Sequence, residues 1–200
     1  MDTTGDFELF PGLDEELTRF GERTPAGGVV LDLGCGVGRD TEWLAARGFF
    51  VVPGDLSHPM LRLSARRVPA VDHVQLDMTA LPFRDAVFAG AWVCASMIHL
   101  PRCLLPAAVQ DLHRVLRPGA AAAISMKEGS EEGWRVGTKL ADERWFTDVR
   151  RHDFADLMQD AGFVRIVTVP SGRGSWFVAE GIRNPSESST RPDRSPGKSA

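Results

Sequence analysis

The 200-residue sequence has few cysteines, no long hydrophobic run and no excess of positive charge. Its three cysteines, Cys35, Cys94 and Cys103, have neither paired nor metal-ligand spacing, so we expect reduced thiols and no metal. No apolar stretch approaches the roughly 20 residues that a membrane-spanning helix needs. No basic-then-apolar leader is present at the start of the sequence. We therefore expect a cytoplasmic protein that does not enter a membrane.

Charge and composition limit the partners of the chain. The formal net charge is −4 and the isoelectric point is about 5.7, which disfavours nucleic acid because nucleic-acid binding usually requires a basic face. A length of 200 residues with 43% hydrophobic residues is sufficient for one domain with a full core. The composition does not show which oligomeric state the protein adopts.

A glycine-rich turn after a short apolar run is the most informative feature that is present. Residues 29–33 predict a strand, and Gly34, Gly36 and Gly38 then alternate before a helix start. Glycines let the backbone pass close to a ligand, and the helix that follows offers unpaired N–H groups to it. Asp55 ends the next apolar run, where a carboxylate accepts hydrogen bonds from ribose hydroxyls. The pattern therefore predicts a nucleoside-binding site.

The spacing of the glycines disfavours a dinucleotide as the ligand. The dinucleotide fingerprint Gly-x-Gly-x-x-Gly, started at Gly34, requires its last glycine at position 39. Arg39 occupies that position, and the third glycine comes one residue earlier. A nicotinamide oxidoreductase is accordingly a weaker hypothesis.

The form Asp-x-Gly-x-Gly-x-Gly, from Asp32 to Gly38, resembles motif I of the class I S-adenosylmethionine-dependent methyltransferases. Four later segments are similar to that family in its own order, so the resemblance covers roughly residues 29–127. They are the second strand with its ribose-binding acid (51–57), the adenine-contacting segment (74–83), the fourth strand with its active-site loop (88–100), and the helix and turn before the fifth strand (112–119).

The resemblance implies S-adenosylmethionine as cofactor and S-adenosylhomocysteine as product. Asp32 would accept from the methionine amino group, Leu56 and Met78 would flank the adenine, and Asp77 would accept from its amino group. Arg39 would reach the cofactor carboxylate or, equally, face solvent at a helix start. Residues 94–96 would line the floor beneath the methionine part. The implied cofactor-binding residues are Asp32, Gly34, Cys35, Gly36, Gly38, Arg39, Asp55, Leu56, Asp77, Met78 and Cys94.

The residues expected to bind or deprotonate the methyl acceptor lie elsewhere in the sequence. His99 follows the fourth strand, where a neutral imidazole would remove a proton from a hydroxyl or amine; the alternative is a histidine that only packs near the cofactor. Residues 127–146 interrupt the alternation with aromatic and charged side chains, which favours a substrate-binding lid over ordinary loop packing. The proposed substrate-binding residues there are Glu128, Trp134, Trp145 and Phe146.

Alternating strand and helix patterns predict an α/β fold. We expect a doubly wound, mostly parallel seven-stranded sheet with helices on both faces and one antiparallel strand in a C-terminal hairpin. Residues 1–28 would form an arm and a leading helix, 29–183 the cofactor-binding domain, and 184–200 a disordered tail. The strands are expected at 29–33, 49–55, 72–77, 87–93, 120–126, 165–169 and 175–180.

Taken together, these patterns favour a methyltransferase that acts by in-line displacement on an oxygen, nitrogen or carbon atom of a small molecule. The segment after the fourth strand, 92–95, lacks the Asn/Asp-Pro-Pro-aromatic and Pro-Cys motifs of enzymes that methylate DNA bases. A protein that binds S-adenosylmethionine or S-adenosylhomocysteine without catalysis is the alternative, since the cofactor motifs alone do not distinguish the two.

Overall fold

The computed structural model describes residues 12–136 and 143–186. Its large sheet has seven strands in the order β3-β2-β1-β4-β5-β9-β8, and β9 runs in the opposite direction to the other six. The strands are β1 Val29–Leu33, β2 Phe50–Asp55, β3 Val74–Gln75, β4 Phe88–Val93, β5 Leu116–Lys127, β8 Phe163–Pro170 and β9 Trp176–Arg183. The predicted fold class is therefore confirmed.

Five α-helices and a small hairpin accompany the sheet in the described part of the chain. The helices are α1 Leu13–Arg23, α2 Arg39–Ala46, α3 His58–Arg67, α4 Leu105–Val115 and α5 Arg151–Asp160. Short 3₁₀ turns cover Met97–His99 and Arg102–Leu104, and a separate antiparallel pair joins β6 Glu132–Val136 to β7 Glu143–Thr147. None of the described helices has the length and apolar character needed to cross a membrane.

Strand residues alternate between two hydrophobic cores, one on each face of the sheet. Leu31 and Leu33 point into the core that α4 and α5 cover, whereas Val30 points into the core that α1 and α2 cover. Leu17 and Phe20 of α1, spaced three residues apart, are almost fully buried there. The leading helix thus packs into the core on this face of the sheet.

Three predicted elements differ from those observed. The third strand was expected over 72–77 but pairs only at Val74–Gln75. The turn expected at Pro118–Gly119 is a bulge within β5, where the register against β4 shifts and Gly119 has φ +82°. The segment 127–146, expected as a connection without regular structure, contains β6 and most of β7. The predicted arm (1–11) and most of the predicted tail (187–200) lie outside the described residues.

Arg183, at the end of the last strand, completes the hydrogen bonding at the end of α4. Its side chain is almost entirely buried, and Nη1 donates to the carbonyl oxygens of Arg114 at 2.8 Å, His113 at 3.3 Å and Leu116. The Arg114 and His113 carbonyls also accept from the backbone N–H groups of Ala86 and Leu116. Arg183 therefore adds a second, charged donor to them, and its buried guanidinium gains acceptors in return.

We expect Arg183→Met to lower the free energy of unfolding by about 1.5–3 kcal/mol, the range for a hydrogen bond to a charged group. Urea denaturation measured by circular dichroism would test this, with exposed Arg62→Met on α3 as the matched control. Equal stability of the two variants would contradict this role for Arg183.

Candidate active site

A cleft of about 470 Å³ opens at the carboxyl ends of β1, β2 and β4. The strand order reverses direction between β1 and β4, and doubly wound sheets bind their ligands at such a position. Its lining comes from the glycine turn, the ends of β2 and β4, α3 and β7. The lining residues are Gly34, Gly36, Asp55, Leu56, Ser57, Met60, Asp77, Met78, Ala95, Ser96, His99, Leu100 and Arg144.

The Asp55 carboxylate holds the glycine turn against the end of β2. Oδ2 accepts from the backbone N–H of Gly36 at 2.9 Å, and Oδ1 accepts from that of Ser57 at 2.8 Å. An ionised carboxylate has about four acceptor sites, so acceptor capacity remains on both oxygens. Asp55 lines the cleft and can accept two further hydroxyl donors there.

The glycines of the turn serve different purposes. A Cβ on Gly34 would lie 2.1 Å from the Cβ of Ser96, so close packing requires glycine there, in addition to its φ of +78°. A Cβ on Gly36 would meet nothing within 4 Å, which leaves its backbone open to the cleft. A Cβ on Gly38 would lie 2.3 Å from the Ser64 hydroxyl, so this glycine allows α2 and α3 to pack closely.

The floor of the cleft is built from the residues that follow β4. Ala95 has φ +51°, an unfavourable conformation for a residue with a side chain, and its N–H donates to the Ser125 hydroxyl at 2.8 Å. The Ser96 hydroxyl donates to the Leu33 carbonyl at 2.8 Å. Both bonds link the floor to neighbouring strands, which fixes its shape.

The lining of the cleft includes a carboxylate and several apolar side chains. Asp77 accepts from the N–H and hydroxyl of Thr79 at 2.8 and 2.7 Å through one oxygen, and these bonds hold the pKa of Asp77 below its usual value. Leu56 is 65% exposed although it is a large apolar residue, and Met60 and Met78 line the same cleft. An ionised acceptor beside apolar surfaces suits a flat heterocycle with an amino group.

Asp32 lies behind the glycine turn and does not line the cleft. It is 1% exposed, and the Thr41 hydroxyl donates to its Oδ2 at 2.6 Å. Burial raises its pKa to about 7, and the neighbouring Asp40 carboxylate adds to the shift. A contact of Asp32 with a methionine amino group stays a prediction.

Arg39 and Cys94 lie in the same buried region. Arg39 forms a two-point ion pair with Asp40, at 2.6 and 3.1 Å, and its guanidinium lies 3.9 Å from the Cys94 sulfur. Burial raises the pKa of the Cys94 thiol to about 11. Burial also raises the pKa of the Cys35 thiol well above its usual range. Neither thiol is suited to nucleophilic chemistry at neutral pH.

His99 lines the cleft in a defined tautomer. Its Nδ1 lies 2.8 Å from the Trp145 carbonyl oxygen, which can only accept, so Nδ1 carries the hydrogen and Nε2 of the neutral ring keeps its lone pair. Burial lowers the pKa of His99; the bond to Trp145 opposes this effect, and the positive charge of Arg144 reinforces it. The ring is therefore neutral at physiological pH and can accept a proton.

The four residues predicted for the acceptor lie on or near the β6–β7 hairpin but do not line the cleft. Phe146 packs edge-on against the His99 ring at 4.8 Å between centroids, and Trp145 contributes the carbonyl that His99 contacts. Trp134 is 65% exposed and packs against Trp145. Glu128 pairs with Arg151 at 2.7 Å. Their contact with an acceptor stays a prediction.

Four lining residues were not proposed individually as binding residues from the sequence: Ser57, Met60, Leu100 and Arg144, of which Arg144 falls within the predicted lid segment 127–146. Ser57 and Met60 lie at the start of α3, directly after the Asp55 strand end, and Leu100 follows His99. Their closeness in sequence to Asp55 and His99 could have identified them as lining residues, because residues that follow the carboxyl end of a strand line the cleft. Within the described ranges, no group of three or more His, Cys, Asp or Glu residues could hold a metal ion.

We expect His99 in the folded protein to titrate below its usual pKa of 6.5 and below its pKa in the urea-unfolded chain. Because the unfolded imidazole then binds protons more readily, this residue favours the unfolded chain as the pH falls through the interval between the two pKa values. Long-range ¹H–¹⁵N correlation spectra would give both the pKa and the tautomer, with His99→Gln identifying the signal. A ring that is protonated at Nε2 when neutral would contradict the geometry.

A family model described as a methyltransferase domain matches residues 30–119. A malonyl-[acyl-carrier protein] O-methyltransferase from Pseudescherichia vulneris is 42% identical over 168 residues, covering 81% of this chain and 60% of that protein. An uncharacterized methyltransferase from Synechocystis is 30% identical over 151 residues, covering 64% of this chain and 71% of the relative. The chain spans 38% to 60% of the lengths of the first three curated relatives.

A solved structure shows the same fold at low identity. The 1,6-didemethyltoxoflavin-N1-methyltransferase of Burkholderia thailandensis, crystallised with 1,6-didemethyltoxoflavin and S-adenosylhomocysteine, superposes with a TM-score of 0.71 at 22% identity, covering 92% of this chain and 83% of that one. The spacing of the glycines, with Arg39 where a dinucleotide fingerprint has its last glycine, agrees with the sequence matches in disfavouring a nicotinamide protein. The chain belongs to the class I S-adenosylmethionine-dependent methyltransferase family.

Proposed function

We propose that this chain binds S-adenosylmethionine in the cleft and transfers its methyl group to an oxygen, nitrogen or carbon nucleophile of a small molecule. The observation that carries the proposal is Asp55, whose two oxygens keep acceptor capacity beside a glycine backbone that is open to the cleft. The cofactor supplies a methyl group already activated by the positive charge on sulfur. A cytoplasmic location is part of this proposal.

The residues of the cleft fit the parts of this cofactor. Asp55 would accept from the two ribose hydroxyls, and Leu56 with Met78 would cover the two faces of the adenine. Asp77, whose lowered pKa keeps it ionised, would accept from the adenine amino group. The open backbone at Gly36 leaves room for the nucleoside to approach the turn closely.

Orientation supplies most of the catalytic effect in this proposal. Placing acceptor and methyl donor in line can contribute up to about 7–11 kcal/mol in the best intramolecular models. His99 would take the proton from a hydroxyl or amine acceptor through Nε2, since Nδ1 is engaged by the Trp145 carbonyl. The names of the two relatives above, an O-methyltransferase and an N1-methyltransferase, support oxygen or nitrogen as the acceptor atom.

We expect Asp55→Ala to weaken binding of S-adenosylmethionine and S-adenosylhomocysteine at least about tenfold, because it removes a charge-assisted hydrogen bond of about 1.5–3 kcal/mol. Calorimetry would measure both ligands, with NAD as the control ligand and exposed Asp72→Ala as the control variant. Asp55→Asn and a thermal unfolding curve would separate loss of binding from loss of the Gly36 and Ser57 hydrogen bonds. Binding of NAD in place of both ligands would overturn the proposal.

We expect His99→Gln to slow methylation of hydroxyl and amine acceptors by about 100-fold near pH 7, the lower range for loss of a general base. Formation of S-adenosylhomocysteine from a panel of small hydroxy, amino and carboxylic acids would measure this, and the affinity for S-adenosylmethionine should not change. Full turnover of a hydroxyl acceptor by the variant would show that His99 only packs. Cofactor binding without turnover of any acceptor would favour the non-catalytic alternative.

A further inference from the structure

The cleft has two chemically distinct sides. On one side of β1 in the sheet, Asp55 ends β2 and Asp77 follows β3, and these are the residues assigned above to ribose and adenine. On the other side His99 and Leu100 follow β4, and Arg144 of β7 lines the cleft with them. Among the described lining residues, Arg144 is the only arginine or lysine. Arg144 lies away from the residues assigned to ribose and adenine. Its guanidinium would therefore contact the acceptor and influence which acceptors bind.

Arg144 differs from the arginine opposite it in the hairpin. Arg135 pairs with Arg144 across β6 and β7, so the two side chains share a face. Arg135 forms a two-point ion pair with Asp148, at 2.8 and 3.0 Å, and lies over the Phe146 ring. Within 12–136 and 143–186, no hydrogen bond or ion pair engages the Arg144 side chain. Its charge is therefore not paired within the part of the chain that the structure describes.

The acidic residues of the cleft do not neutralise Arg144. The Asp55 oxygens accept from Gly36 and Ser57, and Asp77 accepts from Thr79. Neither carboxylate forms an ion pair with Arg144 in the described chain. A half-buried arginine with no counter-ion among the described residues is well suited to bind an oxyanion, because its planar guanidinium donates two parallel hydrogen bonds to a carboxylate or a phosphate.

The strand that carries Arg144 is held in place by contacts of the residues that follow it. The Thr147 hydroxyl donates to the Leu100 carbonyl at 2.7 Å, and Arg102 donates to the Asp148 carbonyl at 2.8 Å. His99 donates to the carbonyl of Trp145, the residue next to Arg144. Side chains alternate along a strand, so Arg144 shares its face with Phe146, which packs against His99.

We propose that Arg144 selects acceptors that carry an oxyanion, a carboxylate or a phosphate, and holds that group beside His99 and Leu100. This inference rests on the proposed function, since the acceptor side is defined by the assignment of the other side to the cofactor. A negatively charged acceptor would also be attracted to the positive charge on the cofactor sulfur.

The test uses the full chain in complex with S-adenosylhomocysteine, whose affinity is measured first. Benzoate, phenyl phosphate and benzamide are then titrated into the complex, because they share a ring and differ in charge. We expect one or both anions to bind at least about tenfold more tightly than benzamide, and Arg144→Gln to abolish this difference. Arg144→Lys should restore part of it. Arg117→Gln is the control, because Arg117 is exposed and lies near the start of β5, away from the carboxyl ends of the strands where the cleft opens. This variant should behave as the wild type.

The outcomes separate this inference from the proposed function. If the wild type does not bind S-adenosylhomocysteine, the proposed function fails and the inference fails with it. If S-adenosylhomocysteine binds but benzamide binds as tightly as both anions, or Arg144→Gln keeps the preference for anions, only the inference is overturned. A preference for benzoate over phenyl phosphate would assign a carboxylate acceptor, and the reverse a phosphate. Loss of S-adenosylhomocysteine binding in Arg144→Gln, with anion binding intact, would place Arg144 at the cofactor instead.

Discussion

The hydrogen bonds between the glycine turn and the end of β2 are the interaction on which the candidate site depends. The Gly54 carbonyl accepts from the N–H groups of Gly34 and Cys35 at 2.7 and 3.0 Å, and the Asp55 side chain accepts from Gly36 and Ser57. Parallel strands end with backbone groups that the sheet cannot pair, and these contacts satisfy several of them. The same contacts hold the turn beside Asp55, so the structure that satisfies the backbone also forms the cleft wall.

Behind that wall lies a buried group of charged side chains that the turn separates from the cleft. Asp40 accepts from Arg39 and from the Trp92 indole N–H at 2.8 Å, while Arg173 reaches Glu16 of α1 at 2.6 Å. Buried charges are costly unless they are paired, and these pairs are nearly complete. They therefore position α1 and the loop before β9 against the strand ends without contributing to the cleft lining.

The sheet and much of the cleft lining could be predicted from the sequence because they depend on local patterns. Apolar runs that end in glycine or aspartate locate strand ends, and strand ends in a parallel sheet meet at one edge, which brings Asp55, Asp77 and His99 together. The β6–β7 hairpin could not be predicted this way, because its residues carry no clear two-residue hydrophobic alternation. Likewise, the sequence carried no signal for the ion pair of Arg39 with Asp40 or for that of Glu16 with Arg173, which spans most of the chain. A contact of Arg39 with the cofactor stays a prediction.

The hairpin links His99 and Arg144, the two groups that we propose act on the acceptor. His99 is oriented by the Trp145 carbonyl, and Arg144 is the preceding residue of the same strand. Any movement of β7 would therefore change the position of the proposed base and of the proposed anion-binding group together. An acceptor held by Arg144 would in turn restrain the strand that fixes the His99 tautomer. In this arrangement acceptor binding and proton removal share one structural element, so an acceptor that does not engage Arg144 would meet a less well-ordered base.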